Sequence, residues 1–231
     1  ESLIKVFLDK RQESGVIDNF HGEFEGRNPY WNFYEWTPTM SGAFGETQSR
    51  LEAPLNAFLS LALQHLSKIC TYLGETEKAA FYAGTADELN RAIAKTFYNP
   101  ETKLFESFDS VNRGLYSTLT QALCMLCGAA ADVDTSVILK VLESNGKTDV
   151  GVTVFPNTLS MNAFRFDALL ALDRDKYAPI ILDEIARDYK MMLDTGATTF
   201  WENFQLSWTN NCFRIDELPV AGKKDVHGDY G

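Results

Sequence analysis

LEAPLNAFLSLALQHLSKICTYLGETEKAAFYAGTADELNRAIAKTFYNP, residues 51–100, is the stretch on which the fold turns. Leu55, Phe58, Leu59, Ala62, Leu63, Leu66, Ile69 and Cys70 recur at i, i+3, i+4 spacing, which puts them on one face of a helix from Leu51 to Leu73. Gly74 then supplies the left-handed stop. A second stripe, Ala79, Ala80, Tyr82, Ala83, Ala86, Leu89, Ile93 and Phe97, predicts a helix from about Glu75 to Phe97, ended by Asn99-Pro100. A turn of one or two residues between them makes a helical hairpin. The Ala-rich second helix and the Leu-Gly turn also fit a tetratricopeptide-type repeat, but that reading needs recurrence at about 34 residues, and the following pairs differ in length.

Working outward, the same periodicity continues. Thr118 to Ala130 is apolar nearly all round and predicts a helix buried on most sides. Asp134 reads as the N-cap of a helix through Leu142 that Asn145-Gly146 closes. Further helices are expected over Leu159–Leu172, over Tyr177–Leu193 with Pro179 near the first turn, and over Leu3–Arg11, about seven in all. The best strand candidate, Thr148 to Phe155, is short and reads as a connection. No linker or composition break divides the chain, so residues 1–231 read as one all-α domain.

Composition narrows the class. Of 231 residues, 45% are apolar, and 16 Phe, 9 Tyr and 4 Trp are too many large apolar groups to leave in water, which excludes a disordered tail. No apolar run reaches the roughly 18 residues of a membrane span. A net charge of −11 repels phosphate backbones and excludes nucleic acid as a partner, whereas a neutral ligand such as a sugar suits an acidic, aromatic-rich surface. Cys124 and Cys127 have CxxC spacing within an apolar run, with no second ligand pair; they read as buried helix cysteines and leave the compartment undecided. His65 reads as a partly buried helix side chain, and His21 and His227 have no ligand spacing around them, so neither a metal nor a cofactor is called for.

Two loops carry the chemistry. In Gly196-Ala-Thr-Thr-Phe-Trp-Glu202, a carboxylate follows an indole just beyond a helix end. The ring offers an apolar face to a sugar and excludes water from one side, which raises a carboxyl pKa toward general acid/base use. The same residues also suit a core Trp beside a Glu that caps backbone amides. In Asn28-Pro-Tyr-Trp-Asn-Phe-Tyr-Glu-Trp-Thr-Pro38, five aromatic residues fall within seven positions, interleaved with Asn32 and Glu35. This is either an aromatic plug on a bundle end or a set of stacking platforms for carbohydrate.

At these residues the chain resembles the bacterial α-L-rhamnosidase family. Met192-Leu-Asp-Thr-Gly-Ala-Thr-Thr-Phe-Trp-Glu202 is similar to its signature ML-x-x-GATT-x-WE. Asn56, Leu73-Gly74, Thr120-Gln-Ala-Leu and Phe155–Leu172 resemble the same domain, and Tyr34-Glu-Trp-Thr-Pro38 its substrate-side loop, with Glu35 where an Asp is usual. The resemblance implies part of an (α/α)6 toroid of six helical hairpins and a glycoside hydrolase that inverts the anomeric centre. Glu202 would be the general base, with Trp201, Trp36, Glu35, Tyr34 and Trp31 on the substrate side. It implies a carbohydrate substrate, no cofactor, and a bacterial setting, periplasmic or extracellular rather than cytoplasmic. The family's Asp-x-x-x-Arg-x-Glu-type acid segment and its Ser-Leu-x-His-type motif have no counterpart among these residues. The expectation is therefore a middle portion of a longer enzyme, whose remaining domains are its partners and whose exposed apolar helix faces promote self-association. A non-catalytic helical carbohydrate-binding or scaffold module is the alternative.

Overall fold

The computed structural model describes residues 1–20, 32–37, 40, 50–109, 114–194 and 200. Helices dominate these residues, in two compact units, 1–156 and 157–231. The first unit opens with α1 (Ser2–Leu8). After β1 (Leu51–Glu52) comes the expected hairpin, α2 (Ala53–Tyr72) and α3 (Thr76–Phe97). Gly74, at φ +77°, makes the turn in a conformation that costs glycine little. Four two-residue strands follow: β2 (Tyr98–Asn99), β3 (Leu104–Phe105), β4 (Phe108–Asp109) and β5 (Tyr116–Ser117). Then come α4 (Thr118–Cys127), α5 (Ser136–Ser144) and β6 (Val154–Phe155). The second unit holds α6 (Asn162–Leu172) and α7 (Arg174–Asp194), packed on each other.

In the first unit α3 and α4 both pack on α2, and α5 packs on α4. The joints are polar as well as apolar. Ser60 of α2 donates to Asn90 of α3 at 2.6 Å, and Gln64 and Asn90 both donate to the Cys127 carbonyl at the end of α4, at 2.7 and 2.5 Å. Those amides satisfy a carbonyl that has no partner of its own in a terminating helix. Ser117 caps α4 at the other end, its Oγ accepting from the Thr120 amide at 3.1 Å. Gln121 pairs with Phe105 as a peptide group would, accepting from its N–H at 2.9 Å and donating to its carbonyl at 2.8 Å.

Several boundaries differ from the sequence expectation, each for a physical reason. β1 pairs antiparallel with β4, β2 with β3, and β5 runs parallel to β6. So Val154–Phe155, the end of the Thr148–Phe155 candidate, does form a ladder, against residues almost forty positions earlier. Helix α7 starts at Arg174, which puts Pro179 inside the helix rather than in its first turn. The Asp173 carboxylate accepts from the Lys176 amide at 3.0 Å and begins the helix early. Thr135, not Asp134, is the N-cap of α5, although Asp134 Oδ1 still takes the Ser136 amide at 3.0 Å. His65 is exposed rather than partly buried. No described helix is long and apolar enough to cross a membrane.

Cys124 and Cys127 are buried in α4, as read from the sequence. Burial pushes both thiols up, Cys127 to about 11. They should therefore resist alkylation by iodoacetamide at pH 8 in the folded protein and react once urea unfolds it. A folded-state pKa above the unfolded value keeps its full stabilisation below about pH 9 and loses it as the pH climbs toward 11. The urea midpoint should fall across that interval, and a Cys127→Ala variant should show less of the fall.

Candidate functional site

The described part of the aromatic loop is built on its own backbone. Met40, fully buried, offers its carbonyl to the amides of both Tyr34 (2.9 Å) and Glu35 (3.1 Å), and its amide donates to the Thr37 carbonyl at 3.1 Å. Asn32 reaches back to the Phe20 carbonyl at 2.9 Å. Glu35 is buried, and its Oε1 accepts from the Trp36 amide at 2.7 Å. Trp36 is thus held at its backbone while the residue as a whole is 41% exposed, its ring edge-on to Phe33 with centroids 4.8 Å apart. Beside it the buried Thr37 hydroxyl finds no hydrogen-bond partner among the described residues. A buried orphan hydroxyl costs free energy unless a water or a ligand hydroxyl meets it. An exposed indole next to such a group suits a sugar's mixed apolar and hydroxyl surface.

Tyr34 has the opposite disposition. Its ring is buried and its hydroxyl donates to Glu52. Burial first, and the Glu52 carboxylate second, raise the phenol well above its ordinary value, so it remains a donor. Glu52 is fully enclosed; Arg50 Nε also donates to it, as does Asn19 Nδ2 at 3.3 Å. The Arg50 guanidinium lies 4.2 Å over the Phe108 ring. Asn56 holds the neighbouring N-terminal segment, accepting from the Ile17 amide at 2.7 Å and donating to the Ile17 and Glu52 carbonyls at 3.1 and 2.8 Å. Asn19, Arg50 and Glu52 are not among the candidates from sequence. Their one legible signal is an acid two residues before Pro54, where a helix starts.

Of the residues expected on the substrate side, Tyr34, Glu35 and Trp36 are thus adjacent in one loop, and only Trp36 of these three presents its ring outward. Glu202, Trp201 and Trp31 lie outside the described residues. Phe200, the residue before Trp201, meets Tyr189 of α7 edge-on at 5.2 Å. Tyr189 also lines a cleft of about 270 Å³ between α6 and α7 with Asn162, Phe166, Glu184 and Asp188. There the buried Arg165 donates to Asn162 Oδ1 at 3.0 Å and pairs with Glu184. Metal-type donors converge at one place among the described residues: Glu1, Cys70 and Glu75. Lys78 already pairs with both carboxylates there, at 2.9 and 2.8 Å.

The profile of the bacterial alpha-L-rhamnosidase six-hairpin glycosidase domain matches residues 8–216. The chain belongs to that family. Among the described residues, α2 packs on α3, α4 on α5 and α6 on α7, as helical hairpins do. Among solved structures the chain is similar to a GH78-family rhamnosidase of Bacillus sp. GL1, with a TM-score of 0.69, 25% identity and 87% of this chain covered. It is also similar in fold to a rhamnosidase from Klebsiella oxytoca with rhamnose bound, with a TM-score of 0.63, 20% identity and 97% of this chain covered. It spans 19% of the first of those rhamnosidases and 37% of the second. No curated protein matches the chain.

Proposed function

We propose that the full-length protein hydrolyses terminal α-L-rhamnosyl linkages with inversion, and that residues 1–231 are part of its (α/α)6 catalytic domain. The observation that carries this reading is the family match over residues 8–216, which encloses both the Tyr34–Trp36 loop and the GATTFWE segment ending at Glu202. Glu202 takes the proton of the attacking water. Trp201, Trp36 and Trp31 stack on the sugar, while Tyr34 and Glu35 hold the loop from within. The general acid lies outside this chain, and inversion requires it about 6.5–9.5 Å from Glu202 so that water fits between. Glu52 does not serve as that acid, because its carboxylate is wholly enclosed and spent on Tyr34, Arg50 and Asn19.

Time-resolved proton NMR of the full-length protein acting on an aryl α-L-rhamnoside tests the proposal. The β-anomer of rhamnose should appear first and mutarotate later. First release of the α-anomer would overturn inversion, and no hydrolysis at all would overturn the activity.

A further inference from the structure

The Trp36 platform is anchored from a residue that neither sequence motif contains. Glu52 stands at the N-cap of α2, where a carboxylate ordinarily takes the free amides of the first turn. It makes no such bond. Its carboxylate turns away from the helix and gathers donors from three separate segments: Asn19, Tyr34 and Arg50. Tyr34 is two residues from Trp36, and the Met40 carbonyl ties the Tyr34 and Glu35 amides to one point. Fixing the Tyr34 hydroxyl therefore fixes the base of the turn, and Glu35 fixes its exit through the Trp36 amide. A fully enclosed carboxylate is a poor choice for stability alone, since apolar side chains of similar volume often do as well. What three converging donors provide instead is one geometry. A stacking ring on a loop needs that, because a displacement of about 1 Å degrades an oriented contact.

We infer that Glu52 is a positioning residue for the Trp36 sugar platform, acting through the Tyr34 hydroxyl. This rests on the reading that Trp36 meets the sugar. Glu52 touches no substrate; it sets where Trp36 stands. A platform used alike in ground and transition states lowers KM and leaves kcat alone. A side chain that served stability only would lower the unfolding midpoint and leave both constants unchanged in the folded fraction.

The test uses the full-length protein on an aryl α-L-rhamnoside, with unfolding midpoints measured in parallel and assays run well below them. Glu52→Gln and the milder Tyr34→Phe should each raise KM about three- to tenfold, the size of one hydrogen bond's net contribution, with kcat within about twofold. The double variant should raise KM no further than Glu52→Gln alone, because both act through one link. Trp36→Ala should raise KM at least as much. If Trp36→Ala raises KM and neither anchor variant does, the positioning role is overturned and the platform reading stands. If Trp36→Ala leaves KM unchanged, the platform reading falls and takes the role with it. Multiplying effects in the double variant, or a loss confined to kcat, would also overturn it. Should Glu52→Gln fail to fold, Tyr34→Phe carries the comparison.

Discussion

Arg50→Met should destabilise the protein by about 3–5 kcal/mol, the cost of leaving one partner of a buried ion pair alone. The Arg50 side chain is 9% exposed and the Glu52 side chain 0%. Neither charge regains water when the other is removed. Met keeps the apolar stem of Arg50 but not the guanidinium that lies 4.2 Å over Phe108, so the change removes the ion pair together with that cation–π contact. Glu52 would keep Tyr34 and Asn19 as donors, but both are neutral. For a chain of this size the loss corresponds to a fall in Tm on the order of 10 °C. Arg50→Met/Glu52→Gln should recover part of it, because the unpaired charge goes with the carboxylate. Lys5→Met should change almost nothing, since Lys5 and Asp9 are 73% and 62% exposed and such pairs contribute little. Urea unfolding of the three variants checks this. An Arg50→Met cost near that of Lys5→Met would show that water screens the pair.

That ion pair also marks where the sequence stops being legible. Repeating hydrocarbon exposes a helix, and both α2 and α3 fall within a few residues of where their stripes put them. It does not expose the polar part of a buried face. Asn56 and Ser60 are fully buried on α2, while Ile69, inside the predicted stripe, is 55% exposed. Each has a partner far off in the chain, Asn56 at Ile17 and Ser60 at Asn90, too remote for any local pattern to record. Two-residue strands escape for a different reason, because alternation needs more positions than they have. In the candidate site the count of aromatic rings located the loop, yet it treated Tyr34 and Trp36 alike. One is an internal anchor and the other a surface, and the difference is set by Glu52, sixteen residues beyond Trp36. The GATTFWE segment is read as a motif, from its residue types rather than its surroundings, and apart from Phe200 it lies outside the described residues.

Glu202→Ala in the full-length protein should reduce hydrolysis of an aryl α-L-rhamnoside by about 10²–10⁴-fold, the usual worth of a positioned general base. KM should change little, since the carboxylate acts on water and not on the sugar in the ground state. Loss of activity alone would not separate a base from a residue that merely holds the site together. Azide separates them. It is an anion of similar reach that attacks carbon without first losing a proton, so it needs no base, and the space left by the shortened side chain admits it. The C–O bond to the aryl group breaks as the C–N bond forms. The still-present acid protonates the departing oxygen. With millimolar azide the variant should regain part of its turnover and release a rhamnosyl azide of β configuration, while the unaltered protein should be indifferent to azide. A variant that azide leaves inactive, or one that makes an α-azide, would remove Glu202 from the base position. Glu202→Gln, which fills the space and admits no azide, should stay inactive in both conditions and so shows that rescue requires the vacancy.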